Sequence, residues 1–578
     1  MRVRVPVLVK DPEVARYKGV PLTEAFVIDG EDVFLDGPVS PRIAVLDFDP
    51  AGGGLAPVAR IAAEAGDGGA LEYALARPDA LDDPSVMQVV TFGGVYKTLQ
   101  MFEEADTLGR RVRWAFDGPQ LLVVPRAGDW PNAFYERDSR SLQFFFFTPP
   151  GATGPVFTCH SQDIIAHETA HAVVDGVVPD LYHAQSPQAL AVHEAMADLA
   201  TLIMAFRSRK LAARILEQTG GSIERPSAFT AIAGQFGQAL AKNRHALRDL
   251  HNGTTMADVD HSDPHALSEV LSGALYAVMV RIYEDVRQAP VAAEAPETPD
   301  THAAVKAEFQ QAAYPAEPQA GPAPPGAIPT GRALFIASER FKRTVFRGLD
   351  YLPPGEVSFA DFACAMLASD EASHPDSGAQ RTWLVEEFVR RGIVSDAGEL
   401  DVETNFTHRA VARIDLDELV RSDWLAYQFA SRERALLGIP KRVPFEVRPR
   451  LKVVKRYYHR DDEPVDVAEC LFKVTWTEME PCAAGAGLPR TRRIARGSTL
   501  AIDWDRKIVR AVVQSRPGGA GDRDLFVRRL VDRDEVAMDD FALGPDGLPR
   551  RGVIRADTAG GVLRLYKTAR ALHLLGER

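Results

Sequence analysis

Residues Met1 to Lys10 alternate apolar and polar side chains, and a period of two predicts a strand with one buried face. Ile43–Phe48 reads as another strand, among turns at Asp29-Gly30, Gly52-Gly53-Gly54 and Gly68-Gly69. The period lengthens over Met87–Glu104, which predicts a helix, then shortens again over Arg111–Phe116 and Leu121–Val124, which read as strands. Leu142–Thr148 is aromatic-rich, and its run Phe144 to Phe147 reads as a buried strand. From Ser161 to about Val394 the pattern is helical. Val270–Val280 there is apolar enough for a buried helix, which Arg281 ends. One stretch breaks this region: Ala289–Thr330 is rich in Ala, Pro and Glu and reads as a disordered or loop-like insertion. Beyond residue 400, Asp415–Leu436 is helical in pattern. Arg448–Tyr458, Val467–Thr477, Ser498–Asp503 and Lys507–Gln514 read as strands. The fold class expected is α+β. The divisions expected are a β-rich region 1–84, a lobe 85–160, a helical lobe 161–398 and a C-terminal α+β region 399–578.

Within the helical region, His167-Glu168-Thr169-Ala170-His171 reads HExxH. Positions four apart share a helix face, so His167 and His171 can offer two imidazole nitrogens to one metal. Glu168 is one residue round, placed to take a proton from a water that the metal activates. Zinc takes nitrogen and carboxylate ligands, and a catalytic zinc keeps a position for water. A third His six residues after the second is not available, because Val177 stands there. Glu194, 23 positions after His171, lies in a segment of helical spacing with Asp198 one turn later. A carboxylate at Asp198 has the type and position to fix a ligand histidine's tautomer. His167, His171 and Glu194 form the expected ligand set.

Further residues follow in a set order: Asn132-Ala133-Phe134-Tyr135, then HExxH, Tyr182, Glu194 with Asp198, Leu247-Arg248, and His265 with Asp260 five residues before it. In this order the chain resembles thermolysin and its relatives, the gluzincin metallopeptidases, over roughly residues 85–395. The resemblance implies a two-lobed fold, with a β-containing lobe and a helical lobe, and a zinc-dependent endopeptidase activity. It implies that Glu168 is general base and that Tyr182 and His265 donate to the oxyanion. Asp260 would orient His265, with Asp263 an equally near carboxylate. Asn132, Ala133 and Phe134 would hold the substrate as an added strand, and Arg248 would bind a substrate carbonyl. Leu247 and Ile164 would line an apolar pocket. Two departures stand out. Asp163 matches one of the family's calcium positions, but Ala205 stands where the family places a calcium-ligating Glu, which argues against calcium dependence. No secretory signal or long prodomain is recognisable.

Composition narrows the classes. A net charge of −13 argues against a nucleic-acid partner. The absence of a long unbroken apolar run argues against a membrane span, and four scattered cysteines without CxxC suit a reducing compartment. The expected setting is cytoplasmic, with a peptide or protein substrate. The C-terminal region is a candidate for partner binding or dimerisation. His459 beside Asp461 and Asp462 reads as a solvated turn. Two alternatives stay open: an aminopeptidase-type gluzincin, and a non-catalytic zinc-stabilised scaffold.

Overall fold

The computed structural model describes residues 1–12, 16–17, 20–21, 23–50, 52–62, 69–240, 246–288, 330–374, 378–457, 464–485, 488–516, 518–533, 536–538, 554–557 and 561–566. The insertion expected at Ala289–Thr330 falls outside these residues up to 329, as does His459. The protein is α+β.

The N-terminal part holds strands β1 (Val3–Leu8), β2 (Thr23–Ile28), β3 (Ile43–Val45), β4 (Leu71–Glu72), β5 (Leu121–Val124), β6 (Ala133–Glu136) and β7 (Ser141–Phe144), with helix α1 (Pro84–Glu103). β1 pairs with β2 antiparallel and with β4 parallel. A second sheet runs in the order β3-β5-β7-β6. Its last pair is antiparallel, with Ala133 opposite Phe144 and Glu136 opposite Ser141. β6 is therefore an edge strand, and one of its sides is not used by the ladder. Helix α1 starts at Asp83, whose carboxylate accepts the Ser85 N–H at 2.9 Å, with Pro84 in the first turn. Gly93 and Gly94 let it lie between two neighbours. A Cβ at Gly93 would meet Val5 and Val7 of β1 at 2.8 Å, and one at Gly94 would meet Gln162 at 2.8 Å.

Arg111–Phe116, expected as a strand, is irregular. Its polar groups go to side chains instead of a ladder: the Val112 N–H to Glu103 at 2.6 Å, and the Val112 carbonyl to Arg42 at 2.9 Å. The run Phe144–Phe147 is likewise broken at Phe145, where the backbone N–H turns to Thr158 Oγ1 at 2.9 Å.

The helical part is built on α2 (Gln162–Val177), α3 (Pro187–Arg207), α4 (Pro264–Gln288), α5 (Thr330–Tyr351) and α6 (Phe359–Ser373). α3 and α4 are long and apolar enough to span a membrane, yet they are core helices here, both buried over most of their length. Glu356, in the loop after α5, accepts the N–H groups of Gln185 and Ser186 at 2.7 Å each, just ahead of α3. A carboxylate at that end also complements the helix dipole.

The C-terminal region contributes β8 (Thr404–Phe406), β9 (Phe445–Tyr457), β10 (Val465–Pro481), β11 (Thr491–Asp503) and β12 (Val509–Gln514), then helix α7 (Ala520–Asp532). The sheet order is β8-β12-β11-β10-β9. Asp415–Leu436, read as one helical stretch, is divided between the short helices Leu416–Arg421 and Asp423–Arg432, with a further one at Arg409–Arg413. Strand pleating explains how this sheet sits. Leu471 and Ala501 join the core of the helical part, while Cys470, Phe472, Leu500 and Ile502 join a second core under the short helices. Charge also crosses the junction. Asp350 takes Arg110 at 2.6 Å and Lys455 at 2.7 Å, and these two cations hold its carboxyl far below the usual range against the effect of burial. Tyr351 and Tyr457 both donate to the buried Glu469. All four cysteines are buried free thiols.

His160, just before α2, has its pKa pushed down to about 4 by burial. The folded chain then keeps it neutral where the unfolded chain takes a proton, between about pH 6.5 and 4, so it costs stability as pH falls through that window. Compared with the wild type, His160→Gln is expected to remove about 1–2 kcal/mol of the stability lost between roughly pH 7 and 5, read by urea unfolding at both pH values.

Candidate metal centre

α2 opens on Ser161, whose hydroxyl accepts the Ile164 N–H at 3.2 Å, and every residue from Gln162 to Asp175 is buried. Two histidines and a glutamate in so apolar a helix need partners. His167 and His171 lie one turn apart with Nε2 atoms 3.0 Å from each other. Glu194 comes from α3. Its Oε2 is 3.5 Å from His167 Nε2 and its Oε1 3.5 Å from His171 Nε2. The donor atoms of these three buried residues all lie within 4.8 Å of one another, a group that could hold a metal ion. Glu194 Oε2 is buried and accepts no hydrogen bond. Two imidazole nitrogens and a carboxylate oxygen with spare valence are a donor set that fits a borderline cation.

The surroundings orient these groups. Asp198, one turn beyond Glu194, lies 3.1 Å from His167 Nδ1. That contact puts the proton on Nδ1 and leaves the Nε2 lone pair facing inward. His193 does the same for His171, with the two Nδ1 atoms 2.6 Å apart. For His171 to offer Nε2, its Nδ1–H must donate and His193 must accept, as a neutral ring. Burial pushes the His193 pKa down to about 4, which keeps it neutral. His193 was missed from the sequence, although its position directly before Glu194 was a signal. Burial pushes the His167 imidazole down, but Asp198 and Glu194 outweigh it and raise its pKa to about 9. The same negative field favours a metal cation, which would displace the proton from Nε2 on binding.

Glu168 stands beside the triad, and its Oε2 accepts the Tyr135 N–H of β6 at 3.0 Å. Burial pushes its carboxyl up to about 8. Arg248 donates from Nε and Nη2 to Asp198 Oδ1 at 3.1 and 2.9 Å, and its Nη1 is 3.7 Å from Glu194. His265 Nε2 lies 3.7 Å from Glu194 Oε2. Burial lowers the His265 pKa, and its Nδ1 is buried without a hydrogen bond. Asn132 Oδ1 accepts the Ala133 N–H at 2.8 Å, while its Nδ2 is buried and unpartnered. Phe134 turns its ring into an aromatic group with Trp130 and Phe145, centroids 6.0 and 5.3 Å away.

Two expected positions differ. Asp260 does not reach His265. Its Oδ1 accepts the Ser262 N–H and hydroxyl at 2.8 and 2.7 Å, and its Oδ2 accepts Arg529 at 2.9 Å. Asp263 is the carboxylate beside the His265 ring, 4.0 Å from Nδ1. Tyr182 is buried with the Arg137 guanidinium 4.4 Å above its ring and Tyr135 against its edge. Among the described residues its hydroxyl bonds none of the cluster's side chains. Asp175, one turn past His171, was also missed. It accepts Tyr135 Oη at 2.8 Å and Arg137 Nε at 2.8 Å, fastening β6 to α2.

A second acidic group, Glu104, Asp106 and Glu339, already contains a cation: Lys342 Nζ is 3.1 Å from Asp106 and 2.6 Å from Glu339 and also bonds Glu104. It is an ion-pair cluster. No protein-family model matches this chain, and no curated protein does.

Proposed function

We propose that this chain is a zinc-dependent endopeptidase on the two-lobed thermolysin-like plan, its cleft lying between the edge strand β6 and the helical lobe. The observation that carries the reading is Glu168, fixed by the Tyr135 N–H at 3.0 Å between a buried His-His-Glu group and the edge strand β6. A structural metal site has no use for a carboxylate in that place. His167, His171 and Glu194 would hold the zinc, which supplies an acidified water and a Lewis acid for the scissile carbonyl.

The chain's own residues do the rest. An extended peptide adds to β6, whose outward groups and Asn132 Nδ2 bind its backbone. Arg248, steadied by Asp198, holds a further substrate carbonyl. Glu168 takes the proton of the attacking water as the new C–O bond forms, then delivers it to the departing amine as the C–N bond breaks. His265 donates to the developing oxyanion. Tyr182, its ring under the Arg137 guanidinium, would be a second donor to that oxyanion.

An internally quenched peptide blocked at both termini tests this reading. Cleavage inside the peptide, abolished by a zinc chelator, is expected. Cleavage of unblocked peptides alone would replace it with an aminopeptidase, and bound zinc without any cleavage would replace it with a scaffold.

A further inference from the structure

We propose that Arg529, on the C-terminal helix α7, is a positioning residue that holds the loop leading into α4, whose first turn carries His265. This rests on the peptidase reading above. α7 is anchored by Phe526, Val527 and Leu530, all buried in the main core. Arg529 leaves that apolar face toward the loop ahead of α4. Its Nη1 donates to Asp260 Oδ2 at 2.9 Å and lies 3.4 Å from Ser262 Oγ, and its Nη2 donates to Asp263 Oδ2 at 2.7 Å. One planar fork thus bridges two carboxylates three residues apart, a geometry that a guanidinium matches and an ammonium does not.

Each carboxylate spends its other oxygen on the loop itself. Asp260 Oδ1 takes the Ser262 N–H at 2.8 Å, and Asp263 Oδ1 takes the His265 N–H at 3.0 Å. The chain of contacts runs from a buried helix, through Arg529 and Asp263, to the backbone of the residue whose Nε2 is 3.7 Å from Glu194. A second contact joins the same two elements: His261 Nδ1 is 3.7 Å from Asp522 Oδ1 at the start of α7. Without the guanidinium, Asp260 and Asp263 repel each other and the loop keeps only the His261 contact to α7. The C-terminal region then serves the cleft directly, by setting where His265 stands.

Full-length Arg529→Met and Arg529→Lys variants test this with two readouts. In metal-free protein, amide exchange over residues 256–266 is expected to be faster in Arg529→Met and intermediate in Arg529→Lys. With zinc and the end-blocked peptide, Arg529→Met is expected to lower kcat about tenfold, as misplacement of a catalytic group by a fraction of an ångström does. KM and zinc content should stay within about twofold. In a His265→Ala background the same change should cost less than about twofold, because the group it positions is gone. Unchanged exchange over 256–266 overturns the proposal, as does an equal loss of kcat with and without His265. If Arg529→Met does not fold, Arg529→Lys decides by the same two readouts. If the wild type hydrolyses nothing, the peptidase reading fails, and the exchange arm still decides whether Arg529 braces the loop.

Discussion

Glu168→Gln is expected to lower kcat by about 10²–10⁴-fold, the range for losing a positioned general base, while zinc content stays at the wild-type level. The expectation has three parts. The substitution keeps the shape, and the Gln amide oxygen can accept the Tyr135 N–H that Glu168 Oε2 accepts at 3.0 Å, so the strand edge stays where it is. Glu168 is outside the His167, His171 and Glu194 group, so the donor set is untouched. An amide cannot take a proton, so the attacking water keeps both of its own. Steady-state hydrolysis of the end-blocked peptide, with zinc measured on the same sample, checks it. Turnover within a few-fold of wild type removes Glu168 from the role of base.

The second large effect lies at the other end of α2. Lys10, one residue past β1 and its neighbour Val9, reaches Asp163 in the first turn of α2. Its Nζ is 2.7 Å from Asp163 Oδ2 and 3.0 Å from the Ala231 carbonyl, and both charged side chains are almost fully buried. Asp11 lies beside them. Burial, and then the charge of Asp163, push the Asp11 carboxyl up to about 6. Lys10→Met keeps the length and removes the only buried ammonium that pairs with Asp163 among the described residues. Breaking a buried pair from one side costs about 3–5 kcal/mol, because the remaining charge is left uncompensated. Urea unfolding should show a loss of that size, and Lys10→Met with Asp163→Asn should recover much of it. A single variant within about 1 kcal/mol of wild type contradicts the pairing, since such a change is the size of an ordinary surface substitution.

These two cases divide what the sequence could tell from what it could not. His167 with His171, and Glu194 with Asp198, were legible as two pairs because helix periodicity puts residues four apart on one face. The β6 edge was expected only through the family resemblance, in which Asn132, Ala133 and Phe134 would hold substrate as an added strand; the chain's own alternation did not mark it. Lys10, Arg529 and His193 were not singled out. Lys10 pairs with a residue about 150 positions away and Arg529 with one 266 away, and no local period encodes such a pairing. His193 looked like an ordinary helix residue until α2 and α3 were packed together. Arg111–Phe116 failed as a strand because a β-like composition cannot say where its hydrogen bonds will go, and Glu103 and Arg42 had already taken them. Three of the C-terminal strands extend beyond the expected bounds, the fourth, β12, is shorter than Lys507–Gln514, and β8 was not expected. β10 spans 17 residues, its middle is covered on both faces and its ends are exposed, so no single alternation runs along it.

The most direct test of the whole reading is a titration of metal-free protein with zinc while cleavage of the end-blocked peptide is followed. Activity should rise linearly and stop at one zinc per chain, and His171→Ala should show neither the rise nor the bound equivalent. Full cleavage before any zinc is added, or a wild-type chain that binds no zinc at all, would contradict it.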